Sequence, residues 1–314
     1  MISFGPIPSR RLGKSLGINN IVSPKICSYA CIYCQVGNTS KKSAERESFF
    51  EPELIFRNVE EHLKKLKKEN YPDYLTFVSN GEPTLDINLG KTILLLKKTG
   101  IKIAVITNSS LLYNKSVREE LCLADWVSVK TDACNNETWQ KINRPVAGLD
   151  FSNTIDSIIQ FSSEFKGILC TETMLVSGIN DTQENFTGLA EIISKIKPFK
   201  AYLAIPTRPP AVTSVQPADP DKLNMAWQIF NEMRIDTEFL TGFEGNQTGF
   251  TGNIYSDILN ITAVHPLRED SLLNLLENDK ADFEVVRSLL KQRLIRSSNY
   301  NGNRYYLREY HIQI

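Results

Sequence analysis

The chain has 314 residues, with 36 Lys and Arg against 36 Asp and Glu, 41% apolar and 23% charged side chains. This is the composition of an ordinary globular protein of one large domain plus a small one, or of two domains. Zero net charge excludes a global field that would draw the whole chain to nucleic acid or a membrane surface, so any such surface must be local. No apolar run approaches the roughly 18 residues of a membrane span. Only 6 cysteines in so long a chain do not make a disulfide scaffold. Arg10-Arg11 superficially matches a twin-arginine export signal, but residues 12–17 form no long apolar core. A reducing cytoplasm and no membrane partner are expected.

At the amino terminus, Gly5-Pro6-Ile7-Pro8 reads as a proline-stiffened arm carrying Arg10 and Arg11, two side chains suited to a phosphate or carboxylate. Short runs rich in β-branched and aromatic residues then alternate with longer amphipathic ones. Strands are predicted over residues 16–22, 74–79, 102–107, 126–130, 168–176 and 201–205. Helices are predicted over 53–69, 87–98, 117–123, 154–165, 182–196 and 222–233. Such alternation implies right-handed parallel βαβ units. Six units fall short of the eight of a closed TIM barrel. The predicted fold class is therefore α/β: an open, partial (βα)6 TIM-type barrel over residues 1–240, with a lateral gap that can admit a large substrate. Chemistry in such layouts lies at the carboxyl ends of the strands.

Residues 241–255 are Gly-rich, from Thr241-Gly242-Phe243-Glu244-Gly245 to Thr248-Gly249-Phe250-Thr251-Gly252, and read as a linker. Beyond them, His265-Pro266 precedes an amphipathic helix through Leu276, and a second helix lies near 282–292 with Asp282 as N-cap. Strand-like pieces around 294–296 and 304–307 flank Asn301-Gly302, a hairpin signal. Helix, turn, helix and hairpin over residues 256–314 make a small winged-helix-like domain. Its basic side chains, Arg287 and Arg293 among them, could track phosphates. Asp282, Glu284 and Glu309 dilute that charge, and a solvated surface is the alternative reading.

The most specific signal is Cys27-Ser28-Tyr29-Ala30-Cys31-Ile32-Tyr33-Cys34, just after the first predicted strand. Closely spaced cysteine thiolates hold iron–sulfur clusters. Three ligands on a four-iron cubane leave one iron open to chelate a substrate, so the loop points to a cluster that does chemistry. A structural zinc ion wants four ligands, commonly in two short pairs. Here Cys122, Cys134 and Cys170 are isolated, and His62, His265 and His311 are distant.

The ends of the later strands are polar. In Asn80-Gly81-Glu82-Pro83, Gly81 would let backbone approach a ligand, Glu82 could accept from an ammonium group, and Pro83 fixes the turn. Thr107-Asn108 suits hydrogen bonds to a ribose or carboxylate, although Asn108 could equally cap the next helix. Alternation places Ser128, Lys130 and Asp132 on one face of the fourth strand. Facing inward, Lys130 would be a buried cation near a cofactor carboxylate or the substrate. A catalytic role as a Schiff-base nucleophile competes there with simple pairing to a neighbour. Thr171, Glu172 and Thr173 are candidate ribose contacts on the fifth strand. Arg208, in a stiff rim of prolines, could lie over an anionic group.

The spacing of Cys27, Cys31 and Cys34 resembles the cluster motif of the radical S-adenosylmethionine (radical SAM) superfamily, whose cores are partial barrels. The resemblance implies that these thiolates hold a 4Fe-4S cluster. It also implies that Tyr33 packs on the adenine of S-adenosylmethionine, and that Gly81-Glu82 is the Gly-Gly-Glu-like element binding the cofactor's amino group. Three further strings narrow it: residues 5–13, residues 25–35 around the cysteines, and Val264-His265-Pro266-Leu267-Arg268-Glu269. Over nearly the whole chain they resemble a bacterial and archaeal family of Fe–S oxidoreductase type grouped with the tRNA wyosine-base synthases. That implies reductive cleavage of S-adenosylmethionine to a 5′-deoxyadenosyl radical, a low-potential donor such as ferredoxin or flavodoxin, and a tRNA base as substrate. The wyosine synthases also use pyruvate, a Schiff-base lysine and a second cluster whose cysteines precede the radical SAM motif. The 26 residues before Cys27 contain no cysteine, so a second cluster of that kind is not expected. Two other readings remain: an enzyme acting on a peptide or small metabolite, and a non-enzymatic redox regulator with a DNA-binding winged helix.

Overall fold

The computed structural model describes residues 2–242, 245 and 249–309. A hairpin of β1 (Ser3–Ser9) and β2 (Gly13–Ile18) opens the chain, followed by the two-residue strands β3 (Ile26–Cys27) and β4 (Lys41–Lys42). Then come α1 (Pro52–Lys65), β5 (Tyr74–Phe77), α2 (Leu89–Leu96), β6 (Lys102–Thr107), α3 (Lys115–Leu121) and β7 (Trp126–Lys130). After α4 (Asn136–Asn143) and α5 (Phe151–Glu164), the alternation resumes with β8 (Ile168–Met174), α6 (Gln183–Ile196), β9 (Lys200–Ala204), α7 (Pro220–Glu232) and β10 (Thr237–Leu240).

One eight-stranded sheet has the order β1-β2-β5-β6-β7-β8-β9-β10. All its neighbours from β2 onward are parallel, and only the β1–β2 edge is antiparallel. The sheet curls into a half barrel, since its edges approach each other. Arg11, on the β1–β2 hairpin, lies 5.8 Å from the ring centres of both Trp126 on β7 and Tyr202 on β9. Arg10 donates to the carbonyl of Phe239 on the far edge strand, at 3.4 Å. Strand alternation sorts the side chains. Leu75, Phe77, Val105 and Val127 pack outward under the helices with Ile55, Val59 and Ile93. Ala104, Trp126, Cys170 and Tyr202 form a separate inner layer with Leu12.

The six predicted strands are present, with two more at the edges. The first is shifted: strand pairing stops at Ile18 instead of reaching residue 22, because side chains take over the backbone partners. Asn19 Oδ1 accepts from the amides of Ile21 and Asn80, and Asn20 Nδ2 donates to the Pro83 carbonyl. The expected amino-terminal arm is strand β1. Its prolines are tolerated because it is an edge strand, and the register shifts between Phe4 and Ile7, where Gly5-Pro6 lies.

The carboxy-terminal part consists of α8 (Ile254–Thr262), β11 (Leu267–Arg268), α9 (Glu269–Asn278), α10 (Glu284–Lys291), β12 (Ile295–Tyr300) and β13 (Asn303–Arg308). Its three strands pair in the order β11-β13-β12. Helix α8 begins inside the stretch read as a linker, of which Phe243, Glu244 and residues 246–248 lie outside the described residues. The Asn301-Gly302 turn has the positive φ at both positions (46° and 74°) that a two-residue hairpin demands. Ile258, Leu272, Leu275, Val286 and Leu289 share one apolar cluster with Phe4 and Ile7 of β1, so this part completes its core on the amino-terminal strand. Tyr300 and Tyr305 hydroxyls donate to the carbonyls of Pro206 (3.2 Å) and Thr207 (2.9 Å), clamping the hairpin to the barrel rim. Among the described residues no helix is long and apolar enough to cross a membrane.

Candidate functional site

The cysteine loop is fastened to the end of β5 by backbone alone. Ile26 forms a parallel bridge with Gly81, its carbonyl accepting from the Glu82 amide at 3.2 Å and its amide donating to the Asn80 carbonyl at 3.3 Å. Gly81 has φ of 148°, and a Cβ there would fall 1.7 Å from the Ile26 carbonyl oxygen. Glycine is thus required by contact between two segments of the protein, a tighter reason than approach to a ligand. Gly81→Ala is expected to destabilise the protein by about 2–4 kcal/mol and to lower iron loading on reconstitution. Thermal unfolding and iron assay check this; wild-type values in both would refute it.

Cys27, Cys31 and Cys34 line one cleft of about 280 Å³ at the carboxyl ends of the strands, together with Tyr33, Gly81, Glu82, Thr107, Asn108, Lys130 and Arg208. Each thiol has its own polar partner. Asn108 Nδ2 lies 3.5 Å from Cys27 Sγ, and Asn143 Nδ2 3.4 Å from Cys31 Sγ. Lys25 Nζ donates to Cys34 Sγ at 3.0 Å and to the Gly37 carbonyl at 2.8 Å. Burial pushes the Cys27 thiol up to about 12 and that of Cys31 to about 11. Burial opposes the Cys34 thiolate too, but the Lys25 ammonium and the amides of Val36 and Gly37 outweigh it and hold this thiol below its ordinary value. Thiols with such burial become ligands when a cationic metal centre replaces their protons. This donor set fits a three-thiolate iron–sulfur cluster. Among the described residues no group of three or more His, Cys, Asp or Glu is placed to hold a lone metal ion.

Glu82 is 1% exposed and receives four neutral donors. Thr84 N, Thr84 Oγ1 and Thr107 Oγ1 bond Oε1 at 3.1, 2.7 and 2.7 Å, and Asn108 N bonds Oε2 at 2.7 Å. Burial raises its carboxyl, and these bonds pull it partly back. A buried carboxylate among neutral donors at the cleft wall is complementary to an arriving ammonium group.

On the inner face of the half barrel a row of charges leads to the cysteines. Arg11 pairs with Glu172, Glu172 Oε1 with Lys130 Nζ at 3.1 Å, and Lys130 with Asp132 at 3.2 Å. Asp132 accepts from the Tyr33 hydroxyl and from Asn143 Nδ2 at 2.8 Å. Lys130 also lies 5.1 Å from the Tyr33 ring centre. Burial works against the Lys130 charge, yet Asp132 and Glu172 hold its ammonium above the usual lysine value. In this arrangement Lys130 is a cation paired with Asp132 and Glu172, the alternative that competed with a Schiff-base nucleophile.

Other expected site residues lie elsewhere. Thr171 and Thr173 alternate with Glu172 and point to the opposite face of β8. There Thr173 Oγ1 donates to the Thr131 carbonyl at 2.8 Å, while Thr171 Oγ1 is buried without a partner. Ser128 is buried below the cleft floor, its hydroxyl likewise unpartnered. Pro83 starts a 3-10 turn behind Glu82. Arg11 lines the cleft from within the barrel instead of standing on a free arm, whereas Arg10 is exposed at the sheet edge. Arg287 is an exposed residue paired with Glu284, and the exposed Arg293 has φ of 53°; neither lines the cleft. Sequence reading assigned no role to Lys25, Gln35 or Asn143. Lys25, two residues ahead of Cys27, was the one with a signal: a lysine adjoining a cluster loop.

Residues 21–190, which hold the three cysteines, Glu82, Lys130 and Glu172, match the Radical SAM superfamily. Over 98% of this chain and 96% of its relative, the chain is 42% identical to the UPF0026 protein MJ1312 of Methanocaldococcus jannaschii. A solved TYW1 structure with a lysine-pyruvate adduct bound is similar over 95% of this chain and 82% of its own, with a TM-score of 0.51 at 14% identity. Streptococcus suis SuiB bound to S-adenosylmethionine is similar over 72% of this chain and 52% of its own, with a TM-score of 0.51 at 15% identity. At such identities the two structures establish the half-barrel fold. Superfamily membership implies a 4Fe-4S cluster and S-adenosylmethionine. With its three-cysteine cleft at the mouth of a half barrel, the chain is an enzyme of the radical SAM superfamily and a member of the UPF0026 family.

Proposed function

We propose that Cys27, Cys31 and Cys34 ligate a 4Fe-4S cluster whose open iron chelates S-adenosylmethionine, and that the substrate is a tRNA base. The observation that carries the first part is the convergence of three enclosed thiols, Cys27 buried and Cys31 and Cys34 half-buried, with Glu82 in one cleft. A 4Fe-4S cluster held by Cys27, Cys31 and Cys34 would supply the one-electron reduction that cleaves bound S-adenosylmethionine to methionine and a 5′-deoxyadenosyl radical, the species that would take a hydrogen atom from the substrate. The chain's own residues orient and shield. Glu82 receives the cofactor's ammonium, Tyr33 offers its ring to the adenine, and the Asn108 amide steadies Cys27. The Lys130–Glu172 pair supplies a charged floor. A low-potential ferredoxin or flavodoxin is the electron donor.

The tRNA reading rests on the resemblance to the wyosine-base synthases and on the presence of a tail clamped to the barrel rim by Tyr300 and Tyr305. The tail is not a generic polyanion surface, since residues 254–309 hold as many Asp and Glu as Lys and Arg. Recognition must come from local contacts. Anaerobically reconstituted protein, given dithionite and S-adenosylmethionine, is expected to release 5′-deoxyadenosine, measured by chromatography. A full cluster with no 5′-deoxyadenosine would favour the redox-regulator reading. Bound tRNA recovered from anaerobic purification supports the substrate, and no RNA binding even at low salt would remove it.

A further inference from the structure

The three cysteine sulfurs have unequal surroundings. Cys27 and Cys31 each face a neutral amide, Asn108 Nδ2 at 3.5 Å and Asn143 Nδ2 at 3.4 Å. Cys34 Sγ instead accepts from an ammonium group, Lys25 Nζ, at 3.0 Å. Lys25 is 6% exposed, and its Nζ has a second acceptor in the Gly37 carbonyl at 2.8 Å. Its backbone is held as firmly. The Lys25 carbonyl accepts from the amides of Ser40 and Lys41 at 3.0 and 3.2 Å, and the next residue, Ile26, forms the bridge to Gly81. The ammonium is therefore fixed beside the loop that carries all three thiols, on the wall of the same cleft.

A buried charge is costly unless a partner offsets it. To staple the loop through the Gly37 carbonyl, a neutral amide side chain would serve with no charge to bury. Of the two acceptors of Lys25 Nζ, only the Cys34 sulfur can carry a negative charge. The potential of an iron–sulfur cluster depends on net charge, hydrogen bonds to its sulfurs and exposure. Reduction adds one electron and one negative charge, so a fixed cation at a ligand sulfur favours the reduced state. In an enclosed site salt screens that attraction little. Neutral amide donors act in the same direction more weakly, since charge-assisted hydrogen bonds are about twice as strong.

We infer that Lys25 tunes the redox centre: its ammonium, bonded to Cys34, raises the reduction potential and so eases entry of the electron that starts the reaction. That electron comes from the low-potential donor, which is oxidised by one electron. No bond forms or breaks at Lys25 and no proton moves. Lys25 acts through the Cys34 sulfur, as a positioning residue for charge. The inference rests on Cys27, Cys31 and Cys34 holding a 4Fe-4S cluster.

A potentiometric titration of the full chain tests it. Protein reconstituted anaerobically with iron and sulfide is reduced stepwise by dithionite with mediators, without S-adenosylmethionine, and the reduced cluster is followed by electron paramagnetic resonance. Lys25→Met is expected to disfavour the reduced state about tenfold, a fall in midpoint potential of about 59 mV for one electron. Lys25→Gln, which keeps an N–H donor without the charge, is expected to fall nearly as far, while Lys25→Arg stays within about threefold of wild type. Iron and sulfide content are measured on every sample, so that potentials are compared between full clusters. A neutral variant with a full cluster and the wild-type potential overturns the inference, as does a loaded Lys25→Arg as low as Lys25→Met. Failure of both neutral variants to take up a cluster also overturns it, since Lys25 is then an element of assembly. A wild-type protein that takes up no cluster defeats the reading of the cysteines, a result distinct from a wild-type cluster whose potential ignores Lys25.

Discussion

Alanine at Cys27, Cys31 or Cys34 is expected to abolish 5′-deoxyadenosine formation and to strip the cluster, while alanine at Cys122 or Cys134 leaves both as in the wild type. Changes to the outer partners of metal ligands cost about 10–100-fold. Loss of one of only three thiolates exceeds that, because each stands at a separate polar partner and no fourth cysteine is near enough to replace it. Cys122 is exposed just past α3, Cys134 packs beside Gly188 of α6, and Cys170 lies in the inner apolar layer with Trp126. Iron and sulfide content, the visible absorbance of the cluster, and product yield measure the effect. A protein with Cys31→Ala that keeps iron and product formation would refute the ligand assignment. Asn108→Ala and Asn143→Ala are expected to fall in the 10–100-fold range with the cluster present, since they touch sulfur without ligating it.

The sequence exposed what depends on spacing and hid what depends on tertiary approach. Three thiols within eight residues are a local pattern, and they lie in one cleft. The six parallel strands were legible because each is a short apolar run between amphipathic helices. Strands β1 and β10 were not. Gly5-Pro6 and Pro8 break the pattern of β1, which survives only because an edge strand needs half its backbone partners. Strand β10 has only four half-buried residues and no alternation to read. Helix α4 was missed although Asn135 caps it, accepting from the Thr138 amide at 2.9 Å. With it went Asn143, whose contact with Cys31 spans 112 positions. Arg11 shows the same limit. As sequence it is a basic arm; curling of the sheet places it between Trp126 and Tyr202. Glu172 was legible as a strand residue, but its partner was not, because only the β7–β8 register sets it opposite Lys130.

That register gives the second large effect: Glu172→Gln is expected to cost about 3–5 kcal/mol at pH 7. The substitution keeps the shape but leaves Arg11 and Lys130 buried with one carboxylate fewer. Both side chains are largely enclosed, at 15% and 12% exposed, so water does little to replace the lost charge. Burial disfavours the Glu172 carboxylate, but Lys130 and then Arg11 more than offset it and hold its carboxyl at about 2, against an ordinary 4.5. A folded-state value depressed in this way gives stability that is present above the unfolded value and disappears as pH falls toward the folded one. Wild-type protein without its cluster is therefore expected to lose this stability between about pH 4.5 and pH 2, while Glu172→Gln, already without it, changes less over the same range. Lys130, whose value is raised, has the opposite sign: its contribution holds at neutral pH and is lost only on the alkaline side. Urea unfolding midpoints at pH 7, 4.5 and 3 measure both curves. A variant within about 0.5 kcal/mol of wild type at pH 7 would show that the row of charges is not a coupled unit. If it is coupled, the effect reaches the cysteines. Lys130 released from Glu172 pulls on Asp132, which positions the Tyr33 hydroxyl and Asn143, and Asn143 contacts Cys31. Glu172→Gln is thus also expected to lower iron retention, a loss that a defect confined to the floor of the barrel would not produce.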